Sequence, residues 1–193
     1  MLEESERSGL LALARRSIAS GLGRDAPARL PEAAWTPPLL ELRASFTTLK
    51  LDGRLRGCCG AIEPRRTLVA DVWHNAWASA FVDPRFRPLR AGELAALEIG
   101  ISVLTPLEPI AADTEAELMA CLRPGIDGLV LGCGAARATF LPAVWQQLPQ
   151  PGDFIAQLKL KAGLAGLPFS AGMRAFRYRT ESFQSARGVE LAA

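Results

Sequence analysis

Lysine and histidine are nearly missing from this chain of 193 residues: of its 22 basic side chains all but Lys50, Lys159 and Lys161 are arginine, and the histidine count is 1. With His74 alone, and with no Cys-x-x-Cys pair, a zinc site has little support in the sequence. No apolar run approaches the ~20 residues that a membrane helix requires. The opening Met1-Leu2-Glu3-Glu4-Ser5-Glu6-Arg7 is acidic, whereas a secretory leader starts basic and turns apolar. Four cysteines without such a leader are expected as free thiols in a reducing compartment, which places the chain in the cytoplasm. There is no internal repeat and no low-complexity tract. The formal net charge of +2 is too small to argue for nucleic acid. Nor are Trp35, Trp73, Trp77 and Trp145 interleaved with basic residues as an RNA-binding sheet requires, so they read as core anchors.

What remains is an ordinary globular composition, 49% hydrophobic and 22% charged, with 17 Gly and 14 Pro marking many turns. The length supports one domain over residues 1–193, with room for a smaller second lobe from about 107 to 150. The arginine excess supplies planar forks suited to carboxylate or phosphate. A GC-rich genome would produce the same excess without any functional reason.

Leu10, Leu11, Ala14 and Ile18 recur at helical spacing, predicting a helix from about Glu3 to Leu22 stopped by Gly21 and Gly23. After a Pro-rich connection, alternation from Arg43 to Ile62 around Asp52-Gly53 predicts a hairpin. Thr67 is placed to cap a helix running to about Val82, with Leu68, Val69, Val72, Ala76, Trp77, Ala80 and Phe81 as its buried stripe; Asp83-Pro84 ends it. Further expectations are a strand over Leu97–Thr105, a short helix over Thr114–Leu122 and a hairpin through Gly132 and Gly134. A helix over Asp153–Gly163 and one last strand over Arg174–Phe183 complete the reading. Helices interspersed with hairpins define an α+β class.

The most specific segment is Leu55-Arg56-Gly57-Cys58-Cys59-Gly60, on the second strand of the first hairpin. Glycines bracketing a polar pair let the backbone approach another group closely or take a positive φ. The segment resembles the Leu-Arg-Gly-Cys-Ile-Gly hexapeptide of the AMMECR family, also known as protein A of the AmmeMemoRadiSam system, with Cys59 in place of Ile. The resemblance continues in order through Asp83-Pro84-Arg85-Phe86, Leu97-Glu98-Ile99 to Thr105, Arg123-Pro124-Gly125-Ile126-Asp127-Gly128, Thr139-Phe140-Leu141-Pro142 and Leu158-Lys159 to Leu164. It implies an α+β two-lobe fold. It also implies association, in prokaryotes, with a Memo-type protein and a radical-SAM protein. The Cys-x-x-x-Cys-x-x-Cys signature of radical-SAM chemistry is absent here, so such chemistry would belong to the partner, and no cofactor is specified.

The expected site is a cleft at the hexapeptide. Cys58 is its nucleophile or covalent carrier, its thiol activated by neighbouring positive charge from Arg56, Arg65 or Arg66; close packing in the strand is the competing role. Arg56, two residues before the thiol, shares its face of a regular strand and clamps an anion, or else pairs with Asp83 or Glu98. Asp83 and Arg85 bracket Pro84, where an aspartate commonly forms an Asx turn. Glu98 lies among alternating apolar positions and needs a cationic partner if its face is buried. Gly57 and Gly60 admit close approach to the backbone. Arg56, Cys58, Asp83 and Glu98 are expected on one concavity, which takes an anionic or small-molecule ligand as part of a modification pathway. A non-catalytic module whose arginines hold an anionic ligand or a partner segment is the alternative. Cys59, on the opposite face, and His74, on the helix between two tryptophans, are expected to be structural.

Overall fold

The stripe of Leu10, Ala14 and Ile18 is fully buried in α1, Glu4–Gly21, the first element of the computed structural model, which describes residues 1–169 and 172–185. The helix starts where Glu6 accepts the Glu3 N–H at 2.9 Å and ends before Gly23 at φ +74°. It lies against α3, Leu68–Phe81, so closely that a Cβ on Gly21 would meet the Trp77 ring at 2.5 Å. Ser17 Oγ donates to the Trp73 carbonyl at 2.6 Å, satisfying that group inside the contact. α3 begins after Thr67, whose hydroxyl makes no cap; the Leu68 N–H instead donates to the Glu41 carbonyl at 2.9 Å. A single helical turn, α2 (Pro37–Leu40), lies in the Pro-rich connection.

Both helices pack with a four-stranded sheet ordered β2-β1-β3-β8, formed by β1 (Ser45–Leu51), β2 (Arg54–Gly60), β3 (Glu98–Leu104) and β8 (Thr180–Gln184). The hairpin between β1 and β2 turns at Asp52 (φ 50°) and Gly53 (φ 73°), the paired positive dihedrals of a type I′ turn. Leu49, Ile99, Ile101 and Val103 fill the core beneath the sheet, each such burial contributing about 1.5–3 kcal/mol.

The chain forms two units: Met1–Leu104 joined by the segment from Glu181, and Thr105–Thr180. The second unit thus runs past position 150, because its sheet, ordered β4-β7-β5-β6, includes a strand near its end. Its strands are β4 (Glu108–Ile110), β5 (Gly128–Cys133), β6 (Ala136–Phe140) and β7 (Met173–Tyr178), with helices α4 (Glu115–Cys121) and α5 (Pro151–Lys161). Trp145 stacks on Phe154 with ring centroids 3.7 Å apart, and its indole N–H donates to the Asp127 carbonyl. Two antiparallel sheets with interspersed helices make the fold α+β. The segment read as one strand over Arg174–Phe183 is two, because the chain leaves one sheet at Tyr178 and enters the other at Thr180. Among the described residues no helix is long and apolar enough to cross a membrane.

Candidate functional site

Strand β2 is the edge of its sheet, and α3 covers it with polar side chains as well as apolar ones. Asp71, Asn75, Ser79 and Asp83 recur every fourth residue, so the first three share one face of α3 and Asp83 continues their line just past its end. Asp71 accepts from the Ser45 N–H at 2.9 Å and from Ser45 Oγ at 2.7 Å, while Asn75 donates to the Ser45 carbonyl at 3.0 Å. Ser79 Oγ accepts from the Cys59 N–H at 2.8 Å and lies at the same distance from the Thr47 carbonyl. Asp83 Oδ2 accepts from the Cys58 N–H at 2.9 Å. In this polar column Ser79 and Asp83 thus clamp the hexapeptide's backbone, and Asp71 and Asn75 hold Ser45 in β1 beside it. The column's four-residue period was readable in the sequence, hidden behind the apolar stripe beside it.

Gly57 is where the clamp needs space. Its φ is not positive; a Cβ there would fall on the carbonyl of Ser79. The close approach is therefore made by α3. At Gly60 a Cβ would stand 2.5 Å from the Phe46 ring, so that glycine accommodates β1.

Arg56 departs from a regular strand. The ladder pairs Leu49 with Gly57 and Lys50 with Leu55, leaving Arg56 as the extra residue of a bulge. A bulge re-aims its side chain, so the simple alternation that would put Arg56 beside Cys58 does not hold across it. Arg56 pairs with Glu93, in the 3-10 helix Ala91–Ala96, through Nε at 2.8 Å and Nη2 at 3.1 Å. Neither Asp83 nor Glu98 is its partner. Glu98 stands opposite Lys50 in β3, with β1 between it and β2, and so lies away from the Arg56–Glu93 pair.

Asp83 carries an Asx turn: Oδ1 accepts from the Arg85 N–H at 3.1 Å and from Arg85 Nε at 2.9 Å, and Oδ2 from Arg85 Nη2 at 2.7 Å. The Arg85 hydrogen bonds hold the Asp83 carboxyl down at about 2, against the opposing effect of burial. Arg85 Nη2 also reaches the Cys58 carbonyl at 3.4 Å. Cys58 and Asp83 thus meet, but the carboxylate grips the backbone and not the thiol. The Cys58 sulfur lies 3.3 Å from Thr48 Oγ1, on the face away from α3, and is half-buried. Burial pushes the Cys59 thiol up, with Asp83 adding to the effect. His74 is packed at a tilt to Trp77, and burial followed by the Arg66 charge lowers its pKa.

Next to this clamp is an open depression of about 390 Å³ lined by Arg56, Phe86, Arg87, Pro88, Arg90 and Glu93. Two guanidiniums approach the Phe86 ring, with Arg85 Cζ 5.5 Å and Arg56 Cζ 6.0 Å from its centroid. The Arg56 side chain is 14% exposed, and among the described residues its buried Nη1 has no hydrogen-bond partner. Arg87 and Arg90 are exposed. Glu93 is held below the usual carboxylate range, chiefly by its Arg56 hydrogen bonds. Of the residues lining this depression, the sequence assigns a role only to Arg56; Phe86, Pro88 and Glu93 lie in blocks that resemble the family without an assigned role. The Arg-x-Arg-x-x-Arg spacing from Arg85 to Arg90 was the available signal. Among the described residues no group of three or more His, Cys, Asp or Glu side chains is arranged to hold a metal ion.

A family described as AMMECR1 matches residues 11–183. A protein of Methanothermobacter thermautotrophicus is 33% identical over 185 residues, which are 94% of this chain and 95% of that protein. A protein of Methanopyrus kandleri is 35% identical over 171 residues, covering 84% of this chain and 79% of its own length. Among solved structures, the crystal structure of an uncharacterized protein from Pyrococcus horikoshii superposes with a TM-score of 0.89 at 29% identity, covering 97% of this chain and 95% of that one.

Proposed function

The chain belongs to the AMMECR1 family, and from that premise we propose that it is the ligand-holding component of a modification pathway. Its work is to present an anionic small molecule, bound in the arginine-lined depression, to Memo-type and radical-SAM partners in the cytoplasm. The observation that carries this reading is the arrangement of Arg56, Arg87 and Arg90 on one depression, with a buried Arg56 donor left unmet. A buried donor without an acceptor costs about 1–3 kcal/mol, which an anionic oxygen bound beside Arg56 would offset.

A second reading, covalent chemistry at Cys58, draws on its half-buried thiol and on the Arg85 guanidinium at its own carbonyl. Asp83 does not serve that chemistry as an orienting base, because both its oxygens are engaged by Arg85 and by backbone N–H groups. One experiment separates the two readings: native and denaturing mass spectrometry after incubation with small-metabolite pools. Binding in the depression gives a noncovalent adduct that disappears on denaturation and in Arg87→Ala. A covalent mass on the peptide carrying Cys58 would put the second reading first, and no adduct of either kind would overturn the ligand-holding role.

A further inference from the structure

We propose that the ligand of the depression is a phosphate dianion, free or as a small phosphomonoester, an inference that rests on the anion-holding reading above. Four arginines surround the loop from Asp83 to Arg90, and their commitments differ. Arg85 is taken up by Asp83 and the Cys58 carbonyl. Arg56 gives Nε and Nη2 to Glu93 and keeps Nη1. Among the described residues the Arg87 and Arg90 guanidiniums make no ion pair and are exposed at the depression.

Among the described residues Glu93 is the only acid lining the depression, and both of its oxygens are engaged. Oε1 accepts from Arg56 Nε at 2.8 Å; Oε2 accepts from Arg56 Nη2 at 3.1 Å and from the Arg90 N–H at 2.8 Å. It therefore acts as a positioning residue for two of the arginines. Three guanidiniums against one carboxylate leave a surplus of two positive charges (3 − 1) on the residues lining the depression. A single carboxylate would cancel one of them. A phosphate monoester above its second pKa of about 6 carries close to two charges and three acceptor oxygens, which matches both the surplus and the number of guanidiniums.

The loop is preorganised for such a ligand. Pro84 and Pro88 fix φ on either side of Arg85-Phe86-Arg87. The Leu89 N–H is tied to the Ala80 carbonyl at 2.8 Å, and the Leu89 side chain is buried. Little ordering cost then falls on binding. The volume, about 390 Å³, suits a small phosphorylated molecule.

The test is calorimetric titration of the full chain with inorganic phosphate, glycerol 3-phosphate, succinate and acetate at pH 7.5, repeated at pH 5. Saturable binding of the two phosphates, at least about tenfold tighter than that of succinate or acetate, is expected, and the tighter of the two identifies free phosphate or an ester as the source. Binding should weaken at pH 5, where the ligand loses its second charge while Glu93 stays ionised. Arg87→Ala and Arg90→Ala, both at exposed positions, should each cost about tenfold in affinity. Succinate or acetate binding as tightly as phosphate would overturn the phosphate assignment and leave the anion-holding reading standing. Phosphate binding unchanged in both arginine variants would place the ligand elsewhere and overturn the inference. No binding of any of the four would remove the anion-holding reading itself.

Discussion

The backbone N–H of Cys58 donates to Asp83 Oδ2 at 2.9 Å, across 25 positions of sequence. The same carboxylate holds Arg85, which reaches back to the Cys58 carbonyl at 3.4 Å. One aspartate thus fixes the edge of the sheet, the direction of an arginine and the start of the loop that lines the depression.

Asp83→Asn should therefore destabilise the chain by about 1–3 kcal/mol at pH 7. The pH dependence has a definite sign. The carboxyl is depressed from 3.8 to about 2 in the folded state, so its stabilisation is present above the unfolded value and is lost as pH falls from about 4 through about 2. Urea unfolding at pH 7 and pH 2.5 should show the gap between the wild-type chain and Asp83→Asn narrowing in acid. A gap of constant size would mean that the carboxylate's charge contributes nothing.

Gly57→Ala should lower the melting temperature steeply, by the equivalent of about 2 kcal/mol or more, because the new Cβ lands on the Ser79 backbone and no side chain can yield. Gly92→Ala is the matched control: nothing lies within 4 Å of a Cβ there, and its φ is not positive. It should be neutral within about half a kcal/mol. Equal melting temperatures for the two variants would refute the close packing of α3 on β2.

At the two adjacent thiols, chemistry should diverge. Burial raises the Cys59 pKa, so of these two thiols iodoacetamide at pH 7 should alkylate Cys58 in preference to Cys59. Peptide mass spectrometry reads this directly. Cys58→Ser should leave the melting temperature nearly unchanged, since a hydroxyl can keep the contact to Thr48. In the ligand-holding reading Cys58→Ala retains pathway activity, whereas loss of activity in a stable Cys58→Ala chain would favour covalent catalysis.

Ser79→Ala tests the polar column. Its hydroxyl serves the Cys59 N–H and also lies near the Thr47 and Asn75 carbonyls. Removal should cost about 1–3 kcal/mol, and amide exchange should speed up at Cys59 before it does so at Leu49. Uniform loss of protection across β1 and β2 would argue that the serine supports only global packing.

Much of the first unit was legible because its signals are local. Asp52-Gly53 set the hairpin, and the spacing of Leu10, Ala14 and Ile18 set α1. The break at Arg179 carries no glycine or proline; it exists because β7 and β8 join different sheets, which no local pattern encodes. β4 went unread because Pro109 at its centre argues against a strand, although an edge strand tolerates it. In the site, Cys58 and Arg56 stand in the hexapeptide and Asp83 and Arg85 in a second readable block, and the structure brings Cys58, Asp83 and Arg85 into contact. Glu93 lies in a readable block but carries no role in the sequence, because its partnership with Arg56 depends on a bulge and on a 3-10 turn, both long-range consequences of packing.

The position of β8 has a consequence for synthesis on the ribosome. The sheet of the first unit is completed by a strand made only after the whole of Thr105–Thr180 has been translated. Glu181 on that strand also receives the Leu2 N–H at 2.9 Å and the Arg7 guanidinium at 2.9 Å, fastening the start of α1. The second unit, by contrast, closes on itself: the Thr105 N–H donates to the Arg179 carbonyl and the Arg179 N–H to Thr105 Oγ1, each at 2.9 Å. A nascent chain thus holds a continuous, self-closing module before the module that surrounds it in sequence can finish. The first unit must wait with an open sheet edge at β3, and its folding carries the slow kinetics of contacts made between distant parts of a sequence.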